Sequence, residues 1–333
     1  MPNQKHRQPR ILLVDDEPTN LRVLRQVLQD RYRLSFATSG TDALKLVDKE
    51  NIDLILLDIM MPDMTGLEVC LKLKSKADTQ NIPVIFVTAL KDSIDETKGF
   101  EVGAVDYITK PIIPAVVLAR VKTHLSLIKA DELLATHIDL IQRLGRAAEY
   151  KDNETGMHVQ RMSHYAKIIA LAYGFCEEAA EDLKRAAPMH DIGKIGIADS
   201  ILLKPGKLTE EEYEIMKTHA LIGGKILSNP NSYLIELAQK VAMTHHEKWD
   251  GSGYPNQLKG EDIPIEGRIV AIADVFDALT SERPYKKAWS VKEAIDFIHQ
   301  QSGQHFDPAL PPLLEQELPK ILAIKDKYME SES

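Results

Sequence analysis

The run "DLILLD" (residues 53–58) decides how the first third of the chain folds. Its apolar stretch is too short for a helix and suits a strand buried on both faces. Four further runs of this kind surround it: "ILLV" (11–14), "RLSFA" (33–37), "PVIFVT" (83–88) and "DYIT" (106–109). Helical patterns lie between them. In "LRVLRQVL", Leu21, Leu24, Val27 and Leu28 fall on one face. Strands alternating with helices imply an α/β doubly wound domain, a five-stranded parallel sheet covered on both sides. The expected strand order is 2-1-3-4-5, which sets strands 1 and 3 side by side.

The strand ends carry the chemistry. Asp15 and Asp16 close the first strand, Asp58 the third, Thr88 the fourth and Lys110 the fifth. In an open parallel sheet, ligands bind beyond the carboxyl ends of the strands. Three crowded carboxylates repel one another unless a cation sits among them, and an all-oxygen site suits Mg²⁺. A carboxylate placed there can attack a phosphoryl group, and Lys110 and Thr88 can hold its oxygens. A single Asp at a strand end is usually a turn former, so the functional reading rests on the five positions agreeing. Residues 10–125 resemble a response-regulator receiver domain, through "VDDE", "LLDIMMPDMTG", "VTA" and "DYITKP". The resemblance implies that Asp58 is the phosphoacceptor and that Asp15 and Asp16 hold Mg²⁺. It also implies that Thr88 and Lys110 sense the phosphoryl group, that Tyr107 is a switch aromatic, and that a sensor histidine kinase is the partner. The Lys110–Pro111 bond is often cis in that family.

A tail, residues 1–9, precedes this domain, and a helical linker, residues 126–147, follows it. Leu127, Leu134, Ile141 and Ala148 recur every seven residues, with Ile138 adding to the stripe. Two readings are open: a helix that pairs with its copy in a homodimer, or one that packs on its own domain.

Residues 148–333 show no good strand pattern. Gly and Pro clusters cut them into the helices of an all-α domain. The chain has eleven histidines, and six of them lack an acidic or histidine neighbour at ligand spacing. The other five occur with acids in "NETGMH", "MHDIGK", "KTHA" and "THHE". Glu154 and His158 share a helix face at four-residue spacing. His190 adjoins Asp191, His219 stands alone, and His245 and His246 are adjacent. Neighbouring side chains diverge, so this pair does not easily serve one ion. Asp274, in "AIADVFDALT", would be costly to bury unpaired; alone it reads as a hydrogen-bond acceptor. Together these eight ligands exceed what one ion takes, which suggests at least two ions with Asp191 bridging. Mixed nitrogen and oxygen donors point to iron or manganese rather than structural zinc. Such a site suits phosphate-ester hydrolysis. Lys194 follows Asp191 by three positions, and "SERPYKKAW" offers Arg283 and Lys286 as phosphate contacts. The loop "WDGSGYP" forms a candidate substrate rim with Gly253 and Tyr254.

Residues from about 145 to 320 resemble the HD-GYP domain, through "HDIGKIG", "HHEKWDGSGYP" and "ADVFDALTSERPYK". The resemblance implies hydrolysis of cyclic di-GMP to pGpG or GMP. It implies His158, His190, Asp191, His219, His245, His246 and Asp274 as metal ligands, and Glu154 as the extra acid of members that hold a third metal. Lys194 would then assist at the phosphate, and Arg283 and Lys286 would contact substrate. Two alternatives compete with this expectation: an HD hydrolase acting on another nucleotide, and a regulator that docks onto diguanylate cyclases.

Bulk properties narrow the setting. A net charge of −9 speaks against a general nucleic-acid surface, so no DNA partner is expected. Two distant cysteines, Cys70 and Cys176, build no disulfide framework. The opening "MPNQKHRQPR" has no signal core, and no apolar run suits a membrane span. The expected location is the cytoplasm.

Overall fold

The computed structural model describes residues 8–89, 99–152, 157–282 and 287–328. Three of the candidate site residues, Glu154, Arg283 and Lys286, lie outside the described residues. The chain divides into two compact units between Leu134 and Ala135.

The first unit holds five strands: β1 (Arg10–Val14), β2 (Arg33–Ala37), β3 (Leu54–Asp58), β4 (Val84–Thr88) and β5 (Asp106–Thr109). All pair in parallel, in the order β2-β1-β3-β4-β5. Alternate side chains leave opposite faces of each strand. Leu12, Val14, Ile55, Leu57, Val84 and Phe86 join one core, while Ile11, Leu13, Leu54, Leu56, Ile85 and Val87 join the other. Because both faces are covered, the central strands β1, β3 and β4 are almost entirely apolar and buried. Helix Pro18–Leu28 seals the second face with Leu21, Leu24 and Leu28. Helices Gly40–Lys49 and Gly66–Lys74 seal the first with Ala43, Val47, Val69 and Leu73. Register places Val14 beside both Ala37 and Leu57, Asp58 beside Val87, and Thr88 beside Thr109. The strands therefore end level, and the residues at or just beyond those ends emerge together.

Helix Pro114–Lys151 divides the seven-residue stripe. Leu127 and Leu134 are 56% and 49% exposed, whereas Ile141 and Ala148 are buried in the core of the second unit. Packing on its own domain thus holds for the C-terminal half of the stripe alone.

Among the described residues the second unit is helical throughout. Helices Met157–Tyr173, Glu177–Ala186, Tyr233–Thr244 and Ile265–Thr280 form its centre. Met162, Tyr165, Ala166, Ile169 and Ala170 recur at three- and four-residue intervals, so one stripe of the first of these helices meets the core. Ile298, Leu314 and Ile321, from the last helices, close it. Among the described residues no helix is long and apolar enough to cross a membrane.

Candidate metal centre

Five places in the helical unit deliver the candidate ligands. His158 stands in the first turn of helix Met157–Tyr173. His190 and Asp191 sit between the short 3-10 turns Ala187–Met189 and Ile192–Gly196. His219 opens helix His219–Ile226, and His245 caps the end of helix Tyr233–Thr244, with His246 following. Asp274 lies on helix Ile265–Thr280. The 3-10 turn packs so closely on His219 that a Cβ at Gly193 would fall 1.8 Å from the His219 carbonyl oxygen. Only glycine permits that approach.

These residues converge as two groups. Ligand atoms of Asp191, His219, His245 and His246 lie within 4.8 Å of one another, as do those of His158, His190 and Asp274. Asp191 faces both. Its Oδ1 is 3.2 Å from His219 Nε2 and 3.5 Å from His245 Nε2, and its Oδ2 is 3.2 Å from His190 Nε2. The expectation that His245 and His246 diverge is corrected: their ring centroids are 4.0 Å apart and both belong to one group. The helix stops at Thr244, so the rotation between successive helical residues no longer separates the two rings.

Three of the rings are oriented from behind by backbone carbonyls. The Nδ1 atoms of His190, His219 and His245 lie 2.9, 2.8 and 3.1 Å from the carbonyl oxygens of Ala187, Met216 and Val241. Those carbonyls can only accept, so Nδ1 carries the proton and the Nε2 lone pair points inward. His190 Nε2, His219 Nε2, His245 Nε2 and Asp191 Oδ1 are buried and make no hydrogen bond. Leaving such atoms unsatisfied costs about 1–3 kcal/mol each. Divalent cations would satisfy all of them at once, so the residues present fit metal ions. The electrostatics agree. Burial and the neighbouring His245 hold His246 well below the usual imidazole range, and burial lowers His245. Neutral rings are the ligating form. Burial alone would raise Asp191, but Lys194 and His190 hold its carboxyl well below the usual range. Burial opposes charge on His158, yet Asp274 and Asp277 outweigh it and raise His158 well above its usual value. A proton there does what a cation would do between those acids.

Asp277 is a functional candidate that the sequence reading missed. It is fully buried and lies 2.8 Å from His158 Nδ1. Arg161 donates to it from Nε at 2.8 Å and from Nη2 at 2.9 Å, and Ser281 donates at 3.2 Å. The available signal was spacing. Asp277 follows Asp274 by three positions and Arg161 follows His158 by three, so each shares a helix face with a candidate ligand. Among the described residues, His158 is the one ligand candidate whose ring is backed by a carboxylate. Asp277→Asn is expected to weaken metal affinity by about 10–100-fold, the usual cost of losing such a partner. The loss should fall on one class of sites in a competitive metal titration. Unchanged affinity in both classes would leave Asp277 a purely structural residue.

The receiver-like pocket assembles as its register dictates. Asp15, Asp16 and Asp58 offer carboxylate oxygens within 4.8 Å of one another. Lys110 Nζ is 2.9 Å from Asp58 Oδ2 and 3.0 Å from Asp15 Oδ2. Burial opposes the ammonium, but Asp58 and Asp15 outweigh it and raise the lysine. Asp15 Oδ1 accepts from the Glu17 N–H and from Asn20, both at 2.9 Å. Thr88 is buried at the end of β4, and its carbonyl accepts from the Lys110 N–H at 2.7 Å. Tyr107 is half-buried, edge-on to Phe100 at 6.2 Å with Arg120 5.5 Å from its ring. The Lys110–Pro111 bond is cis.

Comparison with known families now decides the assignment. A family model for the HD domain matches residues 142–310, and one for the response regulator receiver domain matches residues 11–122. The chain belongs to the HD-domain family, as a response regulator. HD domains are metal-dependent hydrolases, in keeping with the two ligand groups. Over 97% of this chain and 81% of the relative, 41% of residues are identical to a probable cyclic di-GMP phosphodiesterase of Vibrio cholerae. The cyclic di-GMP phosphodiesterase response regulator RpfG of Xanthomonas campestris pv. campestris is 40% identical over 90% of this chain and 85% of its own length. A 3'3'-cGAMP-specific phosphodiesterase 2 of Vibrio cholerae is 47% identical, over 58% of this chain and 37% of its own length.

In the HD domain, the loop after His246 folds back over the ligands. Tyr254 stacks on the His246 ring, with centroids 4.7 Å apart and planes at 28°. Gly253 is buried against the backbone, and a Cβ there would lie 2.3 Å from the Lys248 nitrogen. Glu247, also buried and also missed, accepts from the Asn256 N–H at 2.7 Å and the Leu258 N–H at 3.0 Å, closing the loop. Glu149 is a further buried acid, with Oε1 4.0 Å from His158 Nε2. Lys194 Nζ lies 2.8 Å from Asp191 Oδ2.

Proposed function

We propose that this response regulator hydrolyses cyclic di-GMP, giving pGpG and/or GMP, and that phosphorylation of Asp58 controls the rate. The observation that carries the reading is likeness across both domains to phosphodiesterase response regulators, joined to two ligand groups, with Asp191 of one group 3.2 Å from His190 of the other. In this reading His158, His190, Asp274 and Asp191 serve one ion, and Asp191, His219, His245 and His246 the other. Glu154 serves a third, weaker site. Iron or manganese suits the donors, and Mg²⁺ suits the receiver carboxylates. The bound ions supply an activated water and charge to steady the leaving oxygen. Lys194 places an ammonium beside the shared carboxylate, where a phosphodiester oxygen docks. Tyr254 and Gly253 form the rim, and Arg283 and Lys286 grip the phosphates. A sensor histidine kinase is the proposed phosphodonor, the exposed Leu127 and Leu134 the proposed contact between two copies, and the cytoplasm the proposed location.

The likeness to a cGAMP-specific enzyme within the HD domain supports a second substrate reading. The test uses anaerobically purified protein loaded with iron or manganese, offered cyclic di-GMP and 3'3'-cGAMP separately, with products resolved by chromatography. Cyclic di-GMP is expected to be consumed at least tenfold faster, and chelation to stop the reaction. Preference for 3'3'-cGAMP would replace the substrate. A metal-filled protein inert towards both would favour a docking role on diguanylate cyclases.

A further inference from the structure

The end of helix Pro114–Lys151 lies against the turn that carries Lys194. Lys151 Nζ donates to the carbonyl oxygens of Ile195 and Ile197, at 2.8 and 2.7 Å. The backbone of the turn is thereby tied to the helix end. The next residue, Asp152, accepts from Lys194 Nζ through Oδ2 at 2.6 Å. The ammonium therefore lies between two carboxylates, Asp152 and Asp191, and all three side chains are largely shielded.

The two acids are not equivalent. Asp191 belongs to a candidate metal group, and among the described residues Asp152 belongs to none. Cations on Asp191 would draw on its oxygens and repel a neighbouring ammonium. Asp152 is then a carboxylate that still holds the lysine in place. A lysine side chain also has much rotamer freedom to lose, and a fixed partner removes that loss before substrate arrives.

We propose that Asp152 is a positioning residue, holding the Lys194 ammonium at the edge of the shared Asp191 carboxylate for contact with a phosphodiester oxygen. The inference rests on the phosphohydrolase reading above. Asp152 itself touches neither substrate nor ion; it acts through Lys194.

A double-mutant cycle on the metal-loaded full chain tests this, with bis(p-nitrophenyl) phosphate as the probe. Asp152→Asn is expected to lower kcat by about 10–100-fold, the scale of a misplaced catalytic group, with metal content unchanged. Lys194→Ala should lower it at least as far. In the Lys194→Ala background, Asp152→Asn should change kcat by less than about twofold, since residues acting as a unit are not additive. Asp152→Glu should restore part of the rate. Effects that multiply, or loss of metal in Asp152→Asn, would overturn the proposal. A wild type that cleaves the probe but not cyclic di-GMP sinks the substrate assignment alone, and the cycle still decides Asp152. Where neither compound is cleaved, acetylation of Lys194 followed by mass spectrometry decides instead. Labelling should rise several-fold in Asp152→Asn, and equal labelling would overturn the role.

Discussion

Asp191→Asn is expected to reduce phosphodiester hydrolysis about a thousandfold or more, because several kcal/mol of charge stabilisation rest on bound cations and each tenfold is about 1.36 kcal/mol. The carboxylate has one oxygen towards His219 and His245 and the other towards His190. An amide in its place is neutral and turns a donor towards one side, so both groups lose their shared anion. Stability should report the same loss without any substrate. A ligand at a hundredfold excess over its Kd stabilises the folded state by about 2.7 kcal/mol, or about 5–10 °C in Tm for a domain of 150–250 residues. The wild type should show that rise on metal addition and Asp191→Asn should not. Without metal the variant should melt lower than the wild type, since Lys194 and the neighbouring imidazoles lose the anion whose carboxyl they hold well below its usual range. Elemental analysis, calorimetry and rates check each part. Full metal content together with full activity would remove Asp191 from the centre of the mechanism.

The second large effect concerns the receiver. Incubation with acetyl phosphate and Mg²⁺ is expected to place an acid-labile phosphoryl group on the wild type and none on Asp58→Asn. Asp58 closes β3 between neighbouring strands, 96% buried, with Lys110 2.9 Å from one oxygen. Asp15 is anchored through one oxygen by the Glu17 amide and Asn20 and through the other by Lys110. An amide at position 58 lacks the anionic oxygen that attacks phosphorus. The variant should also lose any response of hydrolysis to the phosphodonor, while keeping its basal rate, because the candidate metal groups lie in the other unit. Peptide mapping that finds the label on Asp15 or Asp16 of the variant would overturn the assignment.

The sheet was legible because its information is local. Five short apolar runs, each ended by a polar residue, are what a parallel sheet covered on both faces requires, and the strand order follows from the family resemblance. The ligand candidates were legible by residue type: imidazoles and acids in otherwise apolar helices are costly unless they meet something charged. The sequence alone therefore determined the fold class and nominated the candidate ligands. It did not settle how they group. Adjacent His245 and His246 share a group because the helix ends between Thr244 and His246, and a helix end is a matter of one or two residues. Asp152 and Glu247 carried no signal of their own, since a lone acid near a turn is common, and Asp277 carried only its three-residue spacing from Asp274. Their roles come from partners brought close by folding: His158 lies 119 positions from Asp277, and Lys194 lies 42 positions from Asp152. Periodicity reports which way a side chain faces along its own element. Only tertiary packing decides which buried charge it will meet, because that choice is made by the cost of leaving either one unpaired.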